Sequence, residues 1–225
     1  MSQESQQDPI RVDIVSDVVC PWCIIGYRQL LKASEATGIA VETYWHPFEL
    51  NPDMVPEGEN IREHIMRKYG STAEQSAQAR TRLSDLGEEL DFTFAWSDDS
   101  RIYNTFAAHQ LIHWASDTGK AQDLKLALFD AYFTEGRDVS DNDILIDVAG
   151  SVGLDTDEAR AVLSDNRYAD TVREKETFWT SRGVSGVPTM IFDAQQATSG
   201  AQGVEIFSKV LEHMAQQPRK VPAGA

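Results

Sequence analysis

Ile10-Arg11-Val12-Asp13-Ile14-Val15 runs through Ser16-Asp17-Val18-Val19 into Cys20-Pro21-Trp22-Cys23, and Ile24 to Ala36 follows. The first six residues alternate as a β-strand does. After the second cysteine, Ile24, Tyr27, Leu30 and Leu31 fall at helical spacing. A strand that ends in Cys-x-x-Cys and opens a helix is the arrangement of a redox dithiol. Cys20 and Cys23 are the only cysteines of the 225-residue chain. A disulfide framework is therefore excluded, and the pair is suited to act on other molecules. Read instead as half of a structural zinc site, the pair would need two more ligands. No second cysteine pair supplies them, so no metal is expected.

The chemistry of thiol exchange assigns roles. Cys20 sits where the helix begins, and the unsatisfied N–H groups there favour an anion. A thiol in such a place has a pKa lowered to about 3.5–7.5. Cys20 is thus the expected nucleophile, and Cys23, one turn on, resolves the mixed disulfide. Pro21 suits the first helical turn, where its missing N–H costs nothing. Trp22 offers a ring that contacts an apolar substrate segment or shields Cys20.

Beyond the first helix, residues 41–48 alternate as a second strand that Pro47 and Pro52 end, and residues 51–59 form a loop. From Ile61 to Arg182 the pattern is almost entirely helical, in segments 61–68, 73–87, 100–118, 121–135, 141–152, 155–163 and 167–182. Start signals stand at Ser71-Thr72, Ser140-Asp141 and Asp155-Thr156, and stop signals at Gly70, Gly119, Gly136 and Gly153. Strand character returns at Thr189-Met190-Ile191-Phe192 and near Ala197-Thr198-Ser199, before a last helix over 203–216. The expected fold is α/β. Residues 10–58 and 183–216 form one small discontinuous unit, and residues 59–182 form a helical insertion between its second and third strands. Residues 1–9 and 217–225 read as flexible tails.

The chain carries a net charge of −16 and 41% hydrophobic residues. A sizeable core is possible. A phosphate backbone or an anionic membrane surface is repelled, so neither nucleic acid nor membrane is an expected partner. Solubility explains the charge. Discrimination against anionic thiols such as glutathione would need charges near the site, because salt screens over roughly 8 Å. No stretch has signal-peptide or membrane-spanning character, which points to the cytoplasm. A vicinal dithiol in that reducing compartment is catalytic more often than structural.

Further candidates lie elsewhere in the chain. Val187-Pro188-Thr189 follows Gly183, Ser185 and Gly186 and is compatible with a cis bond. Its backbone can pair with an extended substrate beside Cys20. Gly200-Ala201-Gln202 opens the last helix, with N–H groups able to receive a carboxylate such as that of glutathione; a plain helix start is the competing reading. His109 and His113 are four apart on one helix, and either can face the dithiol. Asp13 and Asp17 bracket the end of the first strand, and a carboxylate below the dithiol can accept the Cys23 proton. Trp45, Trp96, Trp114 and Trp179 read as core or interface residues.

Taken together, Ser16-Asp17-Val18-Val19-Cys20-Pro21-Trp22-Cys23, Pro47-Phe48-Glu49-Leu50-Asn51-Pro52, Asn104-Thr105 with Ala108-His109 and His113-Trp114, Tyr132 to Asp138, Gly183 to Thr189 and Ser199-Gly200-Ala201-Gln202 carry a resemblance. The chain resembles the DsbA-like branch of the thioredoxin superfamily, in particular its cytoplasmic FrnE-like members, from Ile10 to Met214. The resemblance implies a thioredoxin fold with a helical insertion over the dithiol, a cis proline at Pro188, and disulfide oxidoreductase or isomerase activity. The substrates would be disulfides of proteins, peptides or small thiols. No cofactor is built in beyond the dithiol, and glutathione is a candidate co-substrate. Two rivals remain at this level: a glutathione-dependent isomerase or transferase of the 2-hydroxychromene-2-carboxylate isomerase or kappa-class type, and a chaperone-like peptide binder. Related glutathione-dependent enzymes typically carry serine in place of the first cysteine, and this chain does not.

Overall fold

Strand β1 (Ile10–Ser16) is buried along almost its whole length, because it is covered on both faces and paired on both edges. The computed structural model describes residues 8–218. Of the expected tails, residues 1–7 and 219–225 lie outside the described residues. Helix α1 (Pro21–Thr37) carries the chain over to β2 (Val41–Pro47). That crossover makes the two strands parallel, with Ile10 opposite Val41 and Ser16 opposite Pro47. Ile24, Tyr27 and Leu30 face the core, whereas Leu31 is 40% exposed. Gly38 ends α1 in the left-handed conformation, which glycine adopts without a Cβ penalty.

The insertion follows. It comprises β3 (Glu59–Asn60), α2 (Ile61–Tyr69), α3 (Ala73–Glu89), β4 (Arg101–Ile102), α4 (Phe106–Ser116), α5 (Ala121–Phe129), α6 (Asn142–Ser151), α7 (Thr156–Asp165) and α8 (Ala169–Thr180). A five-residue π-helical turn, Asp130–Thr134, extends α5. The helix starts use side-chain caps where the sequence places them. Thr72 and Gln75 form a reciprocal capping box, and Asp141 and Asp155 each accept two backbone N–H groups; such caps each contribute about 1 kcal/mol. One expectation changes. Helix α4 begins at Phe106, not at residue 100, because Arg101–Ile102 pairs antiparallel with Glu59–Asn60.

The chain then returns to the first sheet as β5 (Thr189–Phe192) and β6 (Gln196–Ser199), and ends in α9 (Val204–Ala215). The sheet order is β2-β1-β5-β6, with β5 antiparallel to both β1 and β6. Helices α1 and α9 pack on each other. Gln29 ties them further, since its side-chain oxygen accepts the Gly203 N–H at 2.9 Å. The result is a thioredoxin fold carrying a helical insertion. It brings the end of β1, the start of α1 and the start of β5 to one place.

Candidate active site

Cys20 is the residue before the first turn of α1, in extended backbone conformation, and Pro21 occupies the first helical position. The Cys20 N–H donates to the Asp17 carbonyl at 3.3 Å, and the Cys23 N–H to the Cys20 carbonyl at 3.0 Å. These bonds hold the two cysteines in one tight turn as free thiols. Cys20 is 3% exposed and Cys23 is fully buried, so Cys20 is the sulfur nearer solvent. Trp22 between them is half-buried and packs against the core.

The Val187-Pro188 loop lies against this turn. The Cys20 thiol donates to the Val187 carbonyl at 3.5 Å, and the Val187–Pro188 peptide is cis. Gly26, one turn beyond Cys23, explains the close approach. A Cβ there would stand 3.3 Å from Pro188 Cγ and 3.5 Å from Ala201 Cα. Pro188 and Ala201 thus both meet α1. The carboxylate-receiving role expected of Gly200 is not supported, however. The Gly200 N–H donates to the Pro188 carbonyl at 2.8 Å, and α9 starts only at Val204, so residues 200–202 form a loop rather than a helix N-terminus.

Behind the dithiol stands a buried polar cluster. Asp17 accepts the Leu50 N–H at 2.7 Å through Oδ2, and its Oδ1 is 3.5 Å from His109 Nε2. Burial would push the Asp17 carboxyl up, but His109, the Leu50 amide and the charge of Lys125 outweigh it and hold the carboxyl below the usual carboxylate range. His109 also reaches the Phe48 carbonyl at 3.1 Å, while His113 packs edge-on against Tyr168. Of the two histidines, His109 is therefore the one behind the dithiol. Asp13 is committed elsewhere. It binds the Arg11 guanidinium and His46 Nε2, each at 2.8 Å.

Sequence reading missed Lys125. It is 1% exposed, its ammonium lies over the rings of Trp45 and Phe129 at 5.4 and 5.0 Å, and no ion pair reaches it among the described residues. Burial lowers its pKa to about 8, against the pull of Cys23, Asp17 and Cys20. The dithiol titrates as one unit. Burial raises the Cys23 thiol, but Cys20, Lys125 and the adjacent Ser16 hydroxyl bring it below a free thiol. The neighbouring Cys23 sulfur, together with burial, pushes Cys20 well above one. The helix N-terminus acts on Cys20 in the opposite direction. The cation and the hydroxyl stand on the Cys23 side, and the Asp17 carboxylate opposes charge on Cys20.

The comparisons with known proteins agree with this fold. A family model described as DSBA-like thioredoxin domain matches residues 11–212. The chain belongs to that family. The crystal structure of a probable DsbA oxidoreductase from Streptomyces coelicolor superposes on this DSBA-like chain with a TM-score of 0.86. The two are 32% identical over 96% of this chain and 94% of that one. The Bacillus subtilis protein YwbO, itself uncharacterised, is 27% identical over 90% of this chain and 96% of its own length. The cytosolic disulfide reductase DsbM from Pseudomonas aeruginosa, solved with glutathione, shares the fold. Its TM-score is 0.62, at 15% identity over 92% of this chain and all of that one. Among the described residues, no helix of this DSBA-like chain is long and apolar enough to cross a membrane.

Proposed function

We propose that this DSBA-like chain is a thiol–disulfide oxidoreductase that reduces or isomerises disulfides of proteins, peptides or small thiols. One observation carries the reading. The more accessible thiol, Cys20, is held beside the Val187-Pro188 backbone, while the deeper thiol, Cys23, has Lys125 and Ser16 beside it to support a negative charge. Cys20 passes its proton to Cys23 and attacks a substrate sulfur. A Cys20–substrate disulfide forms as the substrate S–S bond breaks, and the second substrate sulfur leaves as a thiolate. Cys23 then passes its proton to the departed thiolate and attacks the Cys20 sulfur, so that the Cys20–Cys23 disulfide forms and the first substrate sulfur leaves. The enzyme is left oxidised, and two equivalents of a small thiol such as glutathione restore the dithiol.

Trp22, Val187 and Pro188 form the substrate-facing rim, and Pro21 sets the turn. Glutathione as the reducing co-substrate is supported by the shared fold of a cytosolic reductase crystallised with it. A cytoplasmic setting and the FrnE-like subgroup belong to the same reading. So does the division into a redox unit, 10–58 with 183–216, and a cover, 59–182. The test is turnover of a fluorescent disulfide peptide with glutathione as reductant. Wild type should turn over, and Cys20→Ser should fall to the uncatalysed rate. Equal rates for the two would overturn the proposal.

A further inference from the structure

A cleft of about 910 Å³ opens on the far side of the dithiol, between β2 and helices α4, α5 and α8. None of Cys20, Trp22, Val187, Pro188, Gly200 or Ala201 lines it. It meets the polar cluster behind the dithiol through His109 and Lys125, and it is of the size that holds small ligands. Two properties set it apart from the rest of the surface.

The first is aromatic lining. Tyr44 and Phe178 are 36% and 45% exposed, unusual for such large rings, and both border this cleft with Trp45 and Trp179. The second is charge. The chain carries −16 overall, yet Lys125, Lys175 and Arg182 all line this wall. Its carboxylates are engaged already. Asp13 is bound by Arg11 and His46, and Glu42 lies close enough to the Tyr44 hydroxyl to push its pKa up. Among the described residues, no ion pair reaches Lys125 or Lys175. Asp117 lies near Lys175 but instead accepts the Tyr168 hydroxyl at 3.0 Å. A half-buried ammonium that makes no direct ion pair, beside aromatic walls, suits a ligand that brings a ring and a negative charge together.

We infer that this cleft is a binding site for a small aromatic carboxylate, separate from the dithiol groove, with Lys175 as its principal charge partner. Trp45 and Trp179 in the walls make intrinsic fluorescence the readout. The probes are 1-naphthoate and its neutral counterpart 1-naphthalenemethanol. Wild type and Cys20→Ser should both bind naphthoate saturably, about tenfold or more tightly than the alcohol, the worth of one charged hydrogen bond. Lys175→Ala should lose that preference and Lys175→Arg should keep it. Equal affinity for the two probes, no saturable binding, or an unchanged preference in Lys175→Ala would each overturn the inference. If Lys175→Ala fails to fold, the comparison of the two probes on wild type decides alone.

Discussion

Replacing Lys125 with methionine should make the reduced protein more stable and a worse redox catalyst. The folded chain releases the Lys125 proton at about 8, whereas an unfolded chain holds it to about 10.4. At pH 7 the buried ammonium therefore costs the fold about 3 kcal/mol. Methionine fills nearly the same volume without a charge. It forfeits the attraction to the Trp45 and Phe129 rings, about 1–2 kcal/mol. A net gain of about 1–2 kcal/mol at pH 7 follows. The sign of the pH dependence is fixed. Between pH 8 and 10.4 the unfolded chain binds more protons, so wild-type stability rises across that window relative to the variant. Urea unfolding under reducing conditions at a series of pH values measures both quantities. The gap should be widest near neutrality and close by about pH 10.5. The same variant removes the cation from Cys23, so the first thiol ionisation should move up, as read by ultraviolet thiolate absorbance. A variant less stable than wild type at neutral pH, or a gap that does not narrow with rising pH, would refute the reasoning.

Three other outcomes are expected. Asp17→Ala should destabilise the fold by about 3–5 kcal/mol in chemical denaturation, because it leaves His109 and the Leu50 N–H facing an empty buried site. Wild type should also lose the Asp17 contribution as pH falls below about 4 and through its depressed pKa, a loss that Asp17→Asn should not show. Gly26→Ala should keep the fold but push the Pro188 loop outward by a few tenths of an ångström, given the 3.3 Å approach to Pro188 Cγ; peptide-disulfide turnover should fall more than thermal stability does. Gln29→Ala should cost about 1–2 kcal/mol by thermal unfolding, since the Gly203 N–H loses its acceptor.

The central β1-turn-α1 unit was legible because three signals coincide there: strand alternation, the Cys-Pro-Trp-Cys turn, and apolar residues at helical spacing. The helical insertion was legible from its caps. The β3–β4 ribbon was not, because two residues per strand show no period. The turn Asp130–Thr134 reads as plain helix in the sequence, since a π-turn leaves the apolar spacing nearly unchanged. Gly200 reads as a helix start because a glycine ahead of an apolar helix resembles one, whereas its amide goes to the Pro188 carbonyl and α9 begins only at Val204. His109 could not be separated from His113 by spacing alone, because the choice depends on where α4 crosses Phe48 and Asp17. Lys125 was hidden because a helical lysine reads as solvated. A signal did exist: it lies three and four residues before Leu128 and Phe129, on the buried stripe of α5. Its burial sets a cation on the Cys23 side of the dithiol, which an argument from the helix terminus alone does not include.

The assignment of roles to the two sulfurs is the central claim, and trapping tests it most directly. Each single cysteine-to-serine variant is incubated with a disulfide peptide, and the intact protein is weighed by mass spectrometry. Cys23→Ser should accumulate a mixed disulfide on Cys20, because the nucleophile remains and the resolver is gone, and Cys20→Ser should accumulate none. Trapping on Cys23 alone, or equal trapping by both variants, would contradict the account.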